Sequence, residues 1–191
     1  EIYDAPAMTR GILPTQLAML LGARERVGAE VQQVVISLPS DVGLEQVREA
    51  FELVCRRHPM LRTAFPLIRG EFVPTTHADT PLFWVEHESS EPLARAMEEL
   101  RAQDRATNLD VSRAPVFRLQ ALRAPDGNAV CWTFHHAHLD GRSIERVLEE
   151  VVATVLGRPP EAAAGDPALH VAAALDEAHL LAGRAYLAEA L

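Results

Sequence analysis

Lysine is absent from this 191-residue chain, and all 18 basic residues are arginine. They are scattered among 27 acidic residues, and the net charge is -9. An acidic chain with no basic block excludes a nucleic-acid surface. With alanine and proline plentiful, the missing lysine reads as genomic bias, not chemistry. There are two cysteines, Cys55 and Cys131. They lie far apart within apolar patterns, which excludes a disulfide framework and points to core thiols in a reducing cytosol. No apolar run is long enough to span a bilayer, and no signal peptide is expected ahead of the first element. No membrane partner follows, and the expected location is cytoplasmic. What is present is 48% apolar residues, enough for the core of one domain or of half a two-lobed one. The chain opens at Glu1 and not at Met, so a processed or excised piece is expected.

Residues 1–13 read as irregular. Proline at its first turn suits a short helix from Pro14, which Gly22 can end. The β-branched run Val31 to Leu38 predicts a strand. Ser40 or Asp41 can cap a helix from Leu44 to His58, in which Leu44, Val47, Ala50, Phe51, Val54 and Cys55 follow the helical period. Leu61 to Leu67 and Glu71 to Thr75 predict a hairpin turning at Arg69-Gly70. A strand from Phe83 to Glu88 and a helix from Ser89-Ser90-Glu91-Pro92 to about Gln103 follow. Two further strands, Val116 to Leu122 and Ala129 to His136, are joined by the turn signal Pro125-Asp126-Gly127-Asn128. The last strongly patterned element is a helix from Ser143 to Leu156. Its stripe is Ile144, Val147, Leu148, Val151, Val152, Val155 and Leu156. Residues 158–167 read as a Pro/Ala/Gly linker, and 168–191 as alanine-rich helix. Irregular alternation of strands and helices favours an α/β domain of the α+β type, with a mixed sheet and flanking helices.

The stretch from Cys131 to Ser143 organises the chain. Three of the eight histidines fall within four residues, where an apolar strand runs into an Asp-Gly turn and a helix. A histidine at a strand end, beside a carboxylate and a glycine, suits acid/base chemistry. Three readings stand. His136-Ala137-His138-Leu139-Asp140 matches the start of the histidine-aspartate cluster of metallo-β-lactamase-like hydrolases, and histidines at i and i+2 with a carboxylate can bind zinc. Against it, Gly141 stands where that pattern often has another ligand, and His170 and His179 stand alone on an expected helix. In the second reading, His135 and His136 are satisfied core histidines and Asp140 an ordinary helix cap.

The third reading is a family resemblance. The segment from Phe134 to Ser143 resembles the HHxxxDG signature of condensation domains of nonribosomal peptide synthetases, shared by acyltransferases with the chloramphenicol-acetyltransferase-like fold. Arg57-His58-Pro59-Met60-Leu61-Arg62-Thr63-Ala64-Phe65 resembles the family's RHxxLRTxF motif. The segment from Leu13 to Leu20 resembles its opening motif around a glutamine, here Gln16. The segment from Leu109 to Arg118 resembles its DLSxxPLxR stretch. Two departures are His138 inside the variable triplet and Arg142 where many members have tryptophan. The intact His135-His136 pair separates the chain from the heterocyclising variant.

The resemblance implies one lobe of a two-lobed fold. Residues 1–157 are the N-terminal, donor-side lobe. Residues 168–191 are a helical crossover toward a C-terminal lobe whose motifs are not in the chain. It implies His136 as the catalytic residue, with His135, Asp140, Gly141 and Arg62 as structural support; Asp140 would pair with Arg62. Strand alternation puts Trp132, Phe134 and His136 on one face, and Thr133 and His135 on the other. The implied reaction joins a donor acyl or peptidyl thioester to the amine of an acceptor aminoacyl thioester. Both substrates ride on the 4'-phosphopantetheine of carrier proteins, so no bound cofactor or metal is expected. The implied partners are peptidyl or acyl carrier domains, the second lobe and neighbouring synthetase domains. Ester formation, epimerisation and a non-catalytic docking half-domain are the alternatives. The isolated piece is expected to be inactive.

Overall fold

The structure, a computed structural model, describes residues 11–158. Except for Arg158, the expected linker and helical crossover lie outside the described residues. Four strands form the central sheet: β1 (Val31–Leu38), β6 (Trp84–Glu88), β7 (Phe117–Ala124) and β8 (Gly127–His135), in the order β1-β8-β7-β6. β8 is antiparallel to both neighbours, while β6 runs parallel to β7. The sheet is therefore mixed, as expected. Ala124 faces Gly127 across a two-residue turn, Pro125-Asp126.

β8 is buried from Ala129 to His135, because both of its faces are covered. Val130, Trp132 and Phe134 pack with Phe51 and Val54 of α2 (Leu44–Arg57) and Val147 and Val151 of α4 (Gly141–Val155). On the other face, Ala129 and Cys131 pack with Ala96 and Met97 of α3 (Leu93–Arg105). The alternation read from the sequence is thus the alternation of the two core layers. All six predicted positions of α2 are buried. In α4 the stripe is narrower than expected, since Val152 and Leu156 are exposed.

A polar layer crosses the α3 face. Buried Asp104 accepts hydrogen bonds from Gln33 of β1, Arg118 and Gln120 of β7, and Thr133 of β8. Burial pushes its carboxyl upward, but the hydrogen bonds from Arg118, Thr133 and Gln120 outweigh that and hold it below the usual range. Both cysteines are free and buried; burial pushes the Cys55 thiol up to about 12.

Three local expectations are corrected. Gly22 does not stop the first helix: α1 runs Pro14–Glu25, carrying the roughly 1 kcal/mol cost of an internal glycine. Gly43, not Ser40 or Asp41, caps α2, and Gln46 Oε1 accepts its N–H at 2.7 Å. The hairpin is broken into two short ladders, Thr63–Ala64 (β2) with Thr75–Thr76 (β5) and Leu67–Ile68 (β3) with Glu71–Phe72 (β4). Pro59–Arg62 ahead of it is a turn of 3-10 helix. Arg69 and Gly70 both have positive φ, as a tight turn requires. Among the described residues no helix is long and apolar enough to cross a membrane.

Candidate active site at the end of the central strand

β8 ends at His135, the chain turns through His136-Ala137-His138, and α4 begins at Gly141. This loop is tied down at nearly every residue. The His136 N–H donates to the Glu30 carbonyl at 2.7 Å and the His138 N–H to the His135 carbonyl at 2.9 Å. The Ala137 N–H donates to His135 Nδ1 at 3.2 Å. Gln16 Nε2 donates to the Ala137 carbonyl at 3.0 Å, while its Oε1 accepts the Leu13 N–H at 3.0 Å. The motif glutamine therefore clamps the histidine loop to the start of α1.

The three histidines differ in kind. His136 is partly exposed. Its Nδ1 lies 2.9 Å from the Leu139 carbonyl, which can only accept, so Nδ1 carries the hydrogen. The Nε2 lone pair is then free, and no described residue hydrogen-bonds to it. His135 is 1% exposed. It accepts at Nδ1, which places its hydrogen on Nε2, a buried atom with no partner. Burial, and secondarily the neighbouring His136, lower its pKa against an opposing pull from Glu30. His138 is 3% exposed, with its ring between Phe65 and Phe117 and its Nε2–H on the Met60 carbonyl. Its pKa is lowered to about 4, chiefly by burial. So only His136 of the three offers a reachable base.

The supporting residues are not all brought together. Asp140 caps α4, accepting the Ser143 N–H at 2.8 Å. Arg62 donates instead to the carbonyls of Cys55, His77 and Ala78. The expected Arg62–Asp140 pair is not formed. The carbonyls ending α2 and following β5 lie within reach of the guanidinium and claim it. Gly141 opens α4 with no strained φ, and a Cβ there would meet nothing within 4 Å. No turn geometry demands glycine at this position. The zinc reading loses its donor set, since His138 is turned into the core with its Nε2–H on a carbonyl. Among the described residues no group of three or more His, Cys, Asp or Glu side chains could hold a metal.

Sequence reasoning missed a second tie beneath the loop. Glu150 of α4 is buried and accepts from His58 at 2.8 Å, and from Arg57 and Arg146, each at 3.3 Å. Burial raises its pKa, but these hydrogen bonds outweigh it and leave the carboxyl below the usual range. The first two motif residues of RHxxLRTxF thus lock α2 to α4. The signal was a glutamate at the edge of the apolar stripe, three residues after Val147 and next to Val151.

The family model described as "Condensation domain" matches residues 16–175. The chain belongs to the condensation-domain family. Among its curated relatives is phosphinothricin tripeptide synthetase PhsC of Streptomyces viridochromogenes. The chain is 36% identical to it over 137 residues, covering 68% of this chain and 12% of that protein. Coprinoferrin synthetase of Coprinopsis cinerea is 29% identical over 154 residues, covering 75% of this chain and 6% of that one. A similar solved structure is the first condensation domain of the calcium-dependent antibiotic synthetase in complex with a substrate analogue. It has a TM-score of 0.71 and 21% identity, over 87% of this chain and 43% of that one. Another is the complex of the X-domain and OxyB from teicoplanin biosynthesis, with a TM-score of 0.73 and 20% identity, over 86% and 37%. These likenesses establish the mixed α/β architecture as the condensation-domain fold. The chain is part of such a domain, spanning 6% and 12% of these curated relatives and 37% and 43% of these solved chains.

Proposed function

We propose that, within its whole protein, this lobe supplies His136 to amide formation between two carrier-bound thioesters. The observation that supports this reading is the ring itself. It is partly exposed, with its Nδ1–H on the Leu139 carbonyl and its Nε2 lone pair without a partner among the described residues. The acceptor amine attacks the donor thioester carbonyl, and a C–N bond forms. Nε2 takes the amine proton, or orients the amine by accepting its hydrogen bond. As the C–S bond breaks, the proton passes to the departing thiolate. The substrates arrive on the 4'-phosphopantetheine arms of carrier domains, and the neighbours are other synthetase domains of the cytoplasm. His135, through its Nδ1 on the Ala137 N–H, and Asp140, as the cap of α4, support the loop without touching the reacting atoms. Residues 1–157 form the donor-side lobe, 158–167 the linker and 168–191 the crossover, and a second lobe closes the site. Without that lobe the fragment forms no amide.

The test is His136→Ala in the intact parent protein with loaded carriers. The rate of amide formation should fall by about 10²–10⁴-fold, the usual contribution of a general base. An unchanged rate would remove His136 from the reaction. Supplying alcohol acceptors, or following the donor's α-proton, separates ester formation and epimerisation from amide formation. The alternative of another class is a docking half-domain. It draws on the X-domain that carries this fold and is found in complex with OxyB.

A further inference from the structure

The variable triplet of the histidine signature holds a residue that the proposed chemistry leaves aside. His138 is followed in the chain by Leu139, whose carbonyl meets His136 Nδ1 at 2.9 Å. Three anchors surround that carbonyl. On one side Gln16 grips the Ala137 carbonyl at 3.0 Å. On the other, Asp140 starts α4, its carbonyl accepting the Ile144 N–H at 2.9 Å. Between them, His138 is fastened by its ring. That ring is T-shaped on Phe65 and stacked on Phe117, at centroid distances of 6.2 and 6.4 Å. Its Nε2–H reaches the Met60 carbonyl in the 3-10 turn. The tautomer of a neutral imidazole is set by the bond its other nitrogen makes. A loop free to roll would release the Leu139 carbonyl and leave His136 free to move its hydrogen to Nε2.

The geometry points to His138 as a positioning residue. By donating to the Met60 carbonyl it holds the 136–139 loop so that Leu139 keeps the hydrogen of His136 on Nδ1 and leaves the Nε2 lone pair outward. The catalytic consequence rests on His136 being the base proposed above; the structural claim does not.

The two are separated by reading the tautomer directly. Long-range ¹H–¹⁵N correlation spectra of this chain, with labelled histidine, should show the neutral ring of His136 as the Nδ1–H tautomer alone. His138→Phe keeps an aromatic ring between Phe65 and Phe117 but has no donor for Met60. The single Nδ1–H signature of His136 should be lost and an Nε2–H form should appear. His138→Gln keeps an N–H within reach and should retain the wild-type tautomer. A merely structural His138 would lower stability in either variant without moving the tautomer. A folded His138→Phe protein with an unmoved tautomer overturns the inference, as does a His138→Gln protein that loses it. Should His138→Phe not fold, the Gln variant decides alone: retention supports the role and loss refutes it. In the parent protein, His138→Phe should lower kcat while leaving KM in place. A moved tautomer with unchanged kcat would leave the positioning role standing and remove His136 as base.

Discussion

His138 gives the chain a measurable pH dependence. The ring is buried, and burial lowers its pKa from 6.5 to about 4. Nε2 already donates to Met60, so a second proton would sit on Nδ1, a buried atom with no acceptor. The unfolded chain takes up that proton below about 6.5, and the folded chain takes it up only near 4. Between these values the unfolded state binds more protons, so stability falls as pH falls, and above about 6.5 it is flat. A displacement of this size amounts to about 3 kcal/mol across the window, a large share of a domain's total stability. The assay is chemical denaturation at intervals from pH 7 to pH 4, wild type against His138→Phe. His135 titrates low as well, and it is present in both proteins. At pH 7 the Phe variant should be less stable by about 1–3 kcal/mol, because the Met60 carbonyl loses its donor. The deficit should shrink as pH falls and vanish or reverse near pH 4. Parallel curves would refute the assignment of this proton to His138.

Two further outcomes follow from the polar ties. Arg118→Ala strands the buried Asp104 carboxylate among neutral donors, and should cost about 3–5 kcal/mol in urea denaturation; a loss under 1 kcal/mol would contradict the network. Arg62→Ala should lower the melting temperature by removing donors from Cys55, His77 and Ala78. In a double-mutant cycle with Asp140→Ala the two losses should add within about 0.5 kcal/mol, and strong coupling would restore the pair that the structure does not form.

Much of the fold was legible because it is written in nearest neighbours. Strand alternation separated Trp132 and Phe134 from Thr133 and His135: the first two lie in the layer of α2 and α4, and Thr133 donates to Asp104 of α3, whereas His136, grouped with the first two, stands in the turn after β8. The helical period named all six buried positions of α2. Arg69-Gly70 and Pro125-Asp126-Gly127-Asn128 marked their turns, since backbone conformation there depends on the turn residues themselves, although the second turn takes only Pro125-Asp126 and leaves Gly127 and Asn128 to β8. The misreadings concern choices between competitors. Ser40 and Asp41 are good caps by type, but their turn ends before α2 begins. Gly22 is a stop signal only where the chain has a reason to leave the helix.

From its own order of residues the chain determined its periodicities, its turns, the polar switch at the end of β8 and the motif that names its family. The tertiary structure alone decided which group answers which. Asp126 in the β7–β8 turn caps α3, accepting the N–H of Leu93 at 2.7 Å. Gln16 holds a carbonyl 121 residues away, and Glu150 draws Arg57 and His58 onto α4. A hydrogen-bonding side chain carries no record of its partner. Its donors and acceptors match many groups equally well, and only the packing of the two core layers brings one of them within 3 Å.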